Sequence, residues 1–423
     1  MSMQTQVAVI GGGPAGLAAA IAASNEGASV VLVEREARLG GILKQCVHDG
    51  FGVVRFGEKL AGPEYAQRFI NELKSTGVKV MLQTFVDTIK PHPLGFQVIV
   101  ASAVGIQQVL AKSVVFATGC RERTARQIAI HGTRPAGVLT AGSAQFFTNI
   151  LGQMPGKRCV ILGSGDIGMI MARRLTLEGA QVFGVYEARN SPSGLPRNVA
   201  QCLNDFEIPL HLNKTVTRCF GYPRLEAVEI ASVDENMQPI TGTEERVECD
   251  ALILSVGLIP ENELIETMKV ELDPVTRGPV CDQNGMVAPG IFCCGNAAHV
   301  NDLVDYVSES GEAAGKAAAQ WQTVNDKTQE DEQVFAEIQV GKDLLYAVPQ
   351  KIDLSEPPSE ITLFFRVREE RGKSMFFARF GESVLVEKTY LTLRPPEMER
   401  ITLDLRDVNL QAGDVIELKV EGV

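Results

Sequence analysis

Two stretches of the chain carry the same pattern of apolar and polar positions. Val7-Ala8-Val9-Ile10 is an apolar run of strand character that breaks into Gly11-Gly12-Gly13-Pro14-Ala15-Gly16. Val160-Ile161-Leu162 breaks in the same way into Gly163-Ser164-Gly165-Asp166-Ile167-Gly168. A helical stretch follows each turn, closing on Glu26-Gly27-Ala28 in the first copy and Glu178-Gly179-Ala180 in the second. Gly27 and Gly179 stand where a helix ends on a left-handed residue, a conformation that costs glycine nothing. One sequence offset separates both Gly11 from Gly163 and Gly27 from Gly179, so the chain holds an internal repeat. Each helix leads into a second apolar strand, residues 30–33 or 182–185. Strand–helix–strand units of this length predict parallel pairing with right-handed crossovers, and hence two nucleotide-binding domains.

Three further apolar strands end at a glycine: residues 113–117 before Thr118-Gly119, 251–255 before Gly257, and 290–294 before Gly295. Ligands of open α/β sheets sit at the carboxyl ends of strands, which makes these ends candidate cofactor edges. After Trp321 the character changes. Residues 325–332 are polar and charged and read as a linker. Beyond Val334, alternating or aromatic patterns at 361–368, 374–380, 383–388, 401–405 and 415–420 predict a small antiparallel β module, with turns at 369–373 and 412–414.

Composition narrows the function classes. A length of 423 residues suggests about three domains. With 45% hydrophobic and 22% charged residues, the chain is ordinary for a globular protein. Its net charge of −12 repels phosphate backbones and argues against general nucleic-acid binding. No apolar run approaches the ~18 residues of a membrane span, and the first residues lack a signal peptide's basic region. Nine cysteines, none spaced as CxxC, give neither a zinc ribbon nor a thioredoxin-type dithiol, and five scattered histidines suggest no metal site. A reducing cytoplasm is the expected compartment.

The glycines have separate tasks in a dinucleotide cradle. Gly11 allows the tight turn, Gly13 lets backbone approach a pyrophosphate, and Gly16 lets the helix pack on its strand. A helix starting near Pro14 points free N–H groups and its positive dipole end at that pyrophosphate. Glu34, at the end of the second strand, is placed to accept from ribose hydroxyls. The second copy repeats this with Gly163, Gly165, Asp166, Ile167, Gly168 and Glu187. A carboxylate at Glu187 repels a 2′-phosphate and favours NADH; Arg189 close by works the other way, since arginine can receive that phosphate.

Four segments carry a resemblance over roughly residues 5–325. They are Gly11-Gly12-Gly13-Pro14-Ala15-Gly16 with Glu34, Leu39-Gly40-Gly41, Val114-Val115-Phe116-Ala117-Thr118-Gly119, and Gly290-Ile291-Phe292-Cys293-Cys294-Gly295-Asn296. On these the chain resembles the two-dinucleotide-binding flavoproteins of the pyridine-nucleotide–disulfide oxidoreductase superfamily. The resemblance implies an FAD domain from residues 1–120 and 258–325, with an NAD(P)H domain, 121–257, inserted in it. A linker at 326–333 and a β-sandwich-like module at 334–423 complete the α/β architecture. The implied FAD set is Gly11, Gly13, Pro14, Ala15, Gly16, Glu34, Arg35, Gly41, Val86, Ala117, Thr118, Gly119, Gly295, Asn296, Leu303 and Val304, and Gly257 joins the NAD set. Asn296 departs from the usual aspartate but keeps one acceptor oxygen. Asp302 is expected to cap a helix beginning at Leu303, with Asp305 completing the cap. The N–H groups of Leu303 and Val304 would then face the flavin edge that turns anionic on reduction.

Thr118-Gly119-Cys120-Arg121-Glu122-Arg123 with Gly137-Val138-Leu139-Thr140-Ala141-Gly142 resembles the FAD-carrying subunits of amine and opine oxidases. Gln45-Cys46-Val47-His48-Asp49-Gly50-Phe51-Gly52 and His299-Val300-Asn301-Asp302-Leu303-Val304-Asp305-Tyr306 resemble bacterial flavoproteins that work beside a glycerol-3-phosphate-dehydrogenase-like subunit. The resemblance implies an FAD-dependent NAD(P)H oxidoreductase. Hydride would pass between nicotinamide and flavin, and electrons would go to or come from a partner subunit or small carrier. Cys46 is either a single redox-active thiol, as in a thiol or peroxide reductase, or a packing or substrate-pocket cysteine. His48 and His299 are either acid/base groups or structural. The β module is either a docking surface for a dehydrogenase or electron-carrier subunit, or a cover or homo-oligomer contact. A non-catalytic, nucleotide-holding subunit is the further alternative.

Overall fold

The register of the first sheet follows from the apolar runs. In a computed structural model, which describes residues 2–321, 334–355 and 357–422, Ser2–Ile10 pairs in parallel with Val30–Val33 on one side and Gly105–Phe116 on the other. Ile10 is level with Val33 and with Phe116, and Phe116 is level with Cys293 of the parallel strand Ile291–Cys293. Four strands therefore end in one row. The next residues (Gly11, Glu34, Ala117 and Cys294) line one edge of the sheet, where the sequence turns from apolar to glycine and polar. Lys79–Met81 and the hairpin Phe85–His92/Gly95–Ser102 extend this eight-stranded sheet.

Alanine and glycine set the helix packing. The helix Pro14–Asn25, buried from Ala15 to Ala23, lies against Val304–Gln320. A Cβ at Gly311 or Gly315 would come within 2.2 Å of the carbonyl oxygen of Ala15 or Ala19. Only a helix pair with no side chains at the crossing approaches this closely.

The chain divides into two compact units, Met1–Cys120 with Pro260–Val423, and Arg121–Ile259. The second unit has a parallel sheet ordered Leu210–Leu212, Gln181–Glu187, Arg158–Leu162, Ala251–Leu254, Val138–Thr140. The helices Ala141–Asn149 and Asp166–Leu177 belong to this unit, and a small four-stranded sheet completes it.

In the C-terminal region, eight strands form a five-stranded and a three-stranded sheet around Phe365, Phe376, Leu363, Leu403 and Leu418. Strand Glu360–Val367 alternates buried and half-exposed residues, as a sheet with one face on a core requires. The pairing is antiparallel apart from Phe335–Val340, which runs parallel to Val415–Gly422. Tyr346 and Val348 of this region enter the core beneath the first sheet. The linker expected at 326–333 lies outside the described residues. Among the described residues no helix is long and apolar enough to cross a membrane, and no cluster of His, Cys, Asp and Glu could hold a metal ion.

Candidate functional site

The first glycine turn is closed on three sides and open on one. A Cβ on Gly11 would stand 2.4 Å from the Ala117 carbonyl oxygen, and one on Gly16 1.8 Å from that of Gly11. One on Gly12 would meet Leu39 and the Glu34 carboxylate. A Cβ on Gly13 meets nothing nearer than the Gly41 Cα at 3.8 Å. Gly13 is also the N-cap of Pro14–Asn25, and no side chain caps that helix. An open glycine backbone before an uncapped helix N-terminus has the shape and the polarity that a pyrophosphate needs.

Glu34 is buried beside it. Its Oε2 accepts from the Gly12 N–H at 2.7 Å and its Oε1 from the Glu36 N–H at 2.8 Å. Each carboxylate oxygen keeps a further lone pair. Arg35 next to it is exposed. Thr118, at the end of the neighbouring strand, donates its hydroxyl to the Glu261 carbonyl at 2.7 Å, and the Glu261 N–H returns a bond to the Gly119 carbonyl. Val86 stands apart in the apolar core, two residues beyond Thr84, whose N–H bonds the Glu34 carbonyl.

Gly295 brings the last segment to this cradle: a Cβ there would lie 2.7 Å from that of Ala15. Asn296 Oδ1 accepts the Asn301 N–H at 3.0 Å, and Asn296 Nδ2 lies 3.6 Å from the Cys120 Sγ. The helix beyond begins at Val304 with Leu303 as its N-cap, one residue later than expected, and no side chain caps it. The expected Asp302–Asp305 cap does not form. Asp302 is paired with Arg366 and accepts the Met398 N–H at 2.7 Å. Asp305 accepts the N–H groups of Arg55 at 2.8 Å and Gly52 at 3.3 Å. Both carboxylates are engaged by partners distant in the chain, so the first-turn N–H groups keep their polarity free of a side-chain cap.

The candidate catalytic residues fare differently. Cys46 donates its thiol to the Ile42 carbonyl at 3.3 Å, and burial pushes it up to about 12, so it is a thiol and not a thiolate at neutral pH. His48 is half-exposed, with Nδ1 3.2 Å from the Asp49 carbonyl and its ring against Phe51. His299 is 4% exposed among Tyr346 and Phe364, neither ring nitrogen has a hydrogen-bond partner, and burial beside Arg366 pulls it down to about 4. Among the described residues no cysteine is in a disulfide, and the adjacent Cys293 and Cys294 are both buried.

In the second unit, Gly163, Gly165 and Gly168 all press on Ser255: added Cβ atoms would stand 2.0 Å, 3.1 Å and 2.6 Å from its atoms. The helix Asp166–Leu177 starts at this turn with Gly165 as N-cap, and Ile167 packs into the local core. Glu187 is held by four donors that local pattern did not disclose. They are the Ser164 N–H at 3.0 Å and hydroxyl at 2.6 Å, the Ser193 hydroxyl at 2.8 Å, and the Arg189 N–H at 3.1 Å. Asp166 Oδ1 accepts from the Leu195 N–H at 2.9 Å and Asn198 Nδ2 at 2.5 Å, which seats the segment Ser193–Asn198 against the turn. The Arg189 side chain is exposed, and Gly257, with φ +106°, stands beside Arg123.

The family model for pyridine nucleotide-disulphide oxidoreductases matches residues 5–320. The hydrogen cyanide synthase subunit HcnB of Pseudomonas protegens is 27% identical over 294 residues, 64% of this chain and 60% of its own. An opine oxidase subunit of Agrobacterium tumefaciens is 24% identical over 331 residues, 74% of this chain and 64% of its own. The chain thus spans less than two thirds of the length of these relatives. The crystal structure of T. acidophilum thioredoxin reductase shares the fold, with a TM-score of 0.60 and 22% identity over 75% of this chain and 98% of its own. The two glycine cradles and the match over three-quarters of the sequence agree: the chain belongs to the pyridine nucleotide-disulphide oxidoreductase family, FAD-dependent enzymes that exchange electrons with a pyridine nucleotide.

Proposed function

We propose that this protein is the electron-carrying flavoprotein of a larger assembly, moving electrons between NAD(H) and a partner dehydrogenase or carrier subunit. The observation that carries this reading is the contrast between the open backbone of Gly13 before an uncapped helix and a sequence with no CxxC dithiol. The cradle offers a place for a nucleotide, while the sequence offers no CxxC dithiol by which electrons could leave. Two relatives bearing the word subunit in their names, those of hydrogen cyanide synthase and opine oxidase, support a partner. Bound FAD and nicotinamide would supply the hydride chemistry.

The chain's own residues bind, orient and exclude water. Gly11, Gly13, Pro14, Ala15 and Gly16 offer backbone to the FAD pyrophosphate, and Glu34 accepts from its ribose. Gly41, Ala117, Thr118, Gly119, Gly295 and Asn296 wall the cradle, and Leu303 and Val304 present N–H groups at its far end. In the second unit Gly163, Gly165, Asp166, Ile167, Gly168 and Gly257 surround the nicotinamide nucleotide, and Glu187 discriminates against a 2′-phosphate. NADH over NADPH follows from that carboxylate, which Ser164, Ser193 and Arg189 hold in place. A cytoplasmic setting suits an NAD(H) user with nine cysteines and no disulfide among the described residues.

The test is anaerobic addition of NADH to the FAD-loaded protein and to its Cys46→Ser variant. Both should lose the flavin's visible absorbance within about a second. A wild type that turns over NADH when peroxide or a small disulfide is then supplied, beside a variant that bleaches but does not turn over, would move the assignment to a thiol or peroxide reductase. A flavin that stays oxidised in both would favour a subunit that only holds nucleotides.

A further inference from the structure

We propose that Arg366, carried by the C-terminal strands, is a positioning residue for the far end of the first cradle: by holding Asp302 it fixes the charge at the start of the Val304–Gln320 helix and so sets how readily a flavin bound there is reduced. The inference rests on the FAD reading of that cradle.

The guanidinium is used at every nitrogen. Its Nε donates to the Tyr346 hydroxyl at 2.9 Å, one terminal nitrogen donates to the carbonyls of Pro395 and Pro396, and the other is paired with Asp302. Arg366 thereby links Tyr346, Pro395 and Pro396 to Asp302, which stands two positions before the first helical residue. The Arg366 side chain is 13% exposed and that of Asp302, at the surface, 25%. The second Asp302 oxygen takes the Met398 N–H. A turn further along, Arg400 pairs with Glu309 and lies over the Tyr306 ring at 5.0 Å. On its other side the same helix is gripped through Asp305 by the Gly52 and Arg55 amides and through Glu312 by the Arg55 side chain.

The consequence is electrostatic. Paired, Asp302 and Arg366 add no net charge near an uncapped helix terminus whose N–H groups carry partial positive charge. An unpaired Asp302 would oppose the negative charge that reduction adds to a nearby flavin, and an unpaired Arg366 would favour it. The two single variants must therefore move the flavin in opposite directions. Simple loosening of the segment would move both the same way.

The experiment uses the FAD-loaded full chain, equilibrated with a reference dye of known potential, for wild type, Arg366→Met, Asp302→Asn and the double variant. We expect Arg366→Met to make the flavin harder to reduce and Asp302→Asn to make it easier. Each shift should be about tenfold in the equilibrium constant, about 30 mV for a two-electron couple, and the double variant should return close to wild type. Shifts of the same sign, or none, would overturn the proposal. Where Arg366→Met fails to fold, Asp302→Asn decides alone: easier reduction supports it, an unchanged flavin overturns it. A wild type that takes up no FAD would instead overturn the FAD reading itself.

Discussion

Gly13 and Gly16 share one turn and differ in what surrounds them. A side chain at Gly16 collides with the Gly11 carbonyl, whereas one at Gly13 has room on the protein side and fills only the space left for a ligand. Gly13 has φ −78°, a conformation open to any residue. Gly13→Val should therefore keep a wild-type melting temperature while weakening FAD binding at least tenfold, measured by fluorescence quenching. Gly16→Val should lose the fold, seen as collapse of the cooperative thermal transition. Cys46→Ser should leave any NADH-driven turnover of peroxide or a small disulfide within about twofold of wild type, because a thiol pushed up to about 12 is no nucleophile at neutral pH. These glycines were legible in sequence since their spacing between an apolar strand and a helix is itself a local pattern. The environments of His299 and Cys46 were not: the packing of Tyr346 and Phe364 on His299, and of Gly62 on Cys46, is a property of the folded molecule.

At the scale of elements, the strand–turn–helix pattern predicted both cradles, and the row of strand ends at Ile10, Val33, Phe116 and Cys293 arranges the glycines as that pattern requires. The helix start near Asp302 was legible to within one residue, but its cap was not. Asp302 and Asp305 read locally as capping residues, and each met a stronger donor from far away, Arg366 in one case and the Gly52 and Arg55 amides in the other. The turn at Asp282 gives a pH test. Its Oδ1 accepts the Asn284 and Met286 N–H groups, yet burial, with Asp353 near, raises it to about 6. A carboxyl raised in the folded state binds its proton more tightly there than when unfolded. Its contribution is full below the unfolded value and is lost as pH rises through about 6. Asp282→Asn should thus gain up to about 3 kcal/mol over wild type at pH 8 and little at pH 4, by urea midpoints at the two values.

Within the first unit, the C-terminal strands are tied to the residues that precede them by specific bonds as well as by apolar contact. Gln350 exchanges hydrogen bonds with Cys281, and Gln283 with Asp353. The sequence pattern disclosed five of these strands. It did not separate Phe335–Val340, Leu344–Val348 and Lys351–Asp353, which are short and whose inward residues are shared between the module's own core and the core of the first sheet. The second cradle tests cofactor choice. Glu187→Ala should erode the preference for NADH over NADPH at least tenfold in kcat/KM, as loss of a carboxylate that opposes a 2′-phosphate requires. The claim beneath all of this is that the cradle at Gly11–Gly16 holds a flavin. Titration of FAD into the deflavinated chain tests it most directly. One FAD per chain, with quenched flavin fluorescence and a visible spectrum shifted from that of free FAD, is the predicted result; a chain that stays colourless at saturating FAD contradicts it.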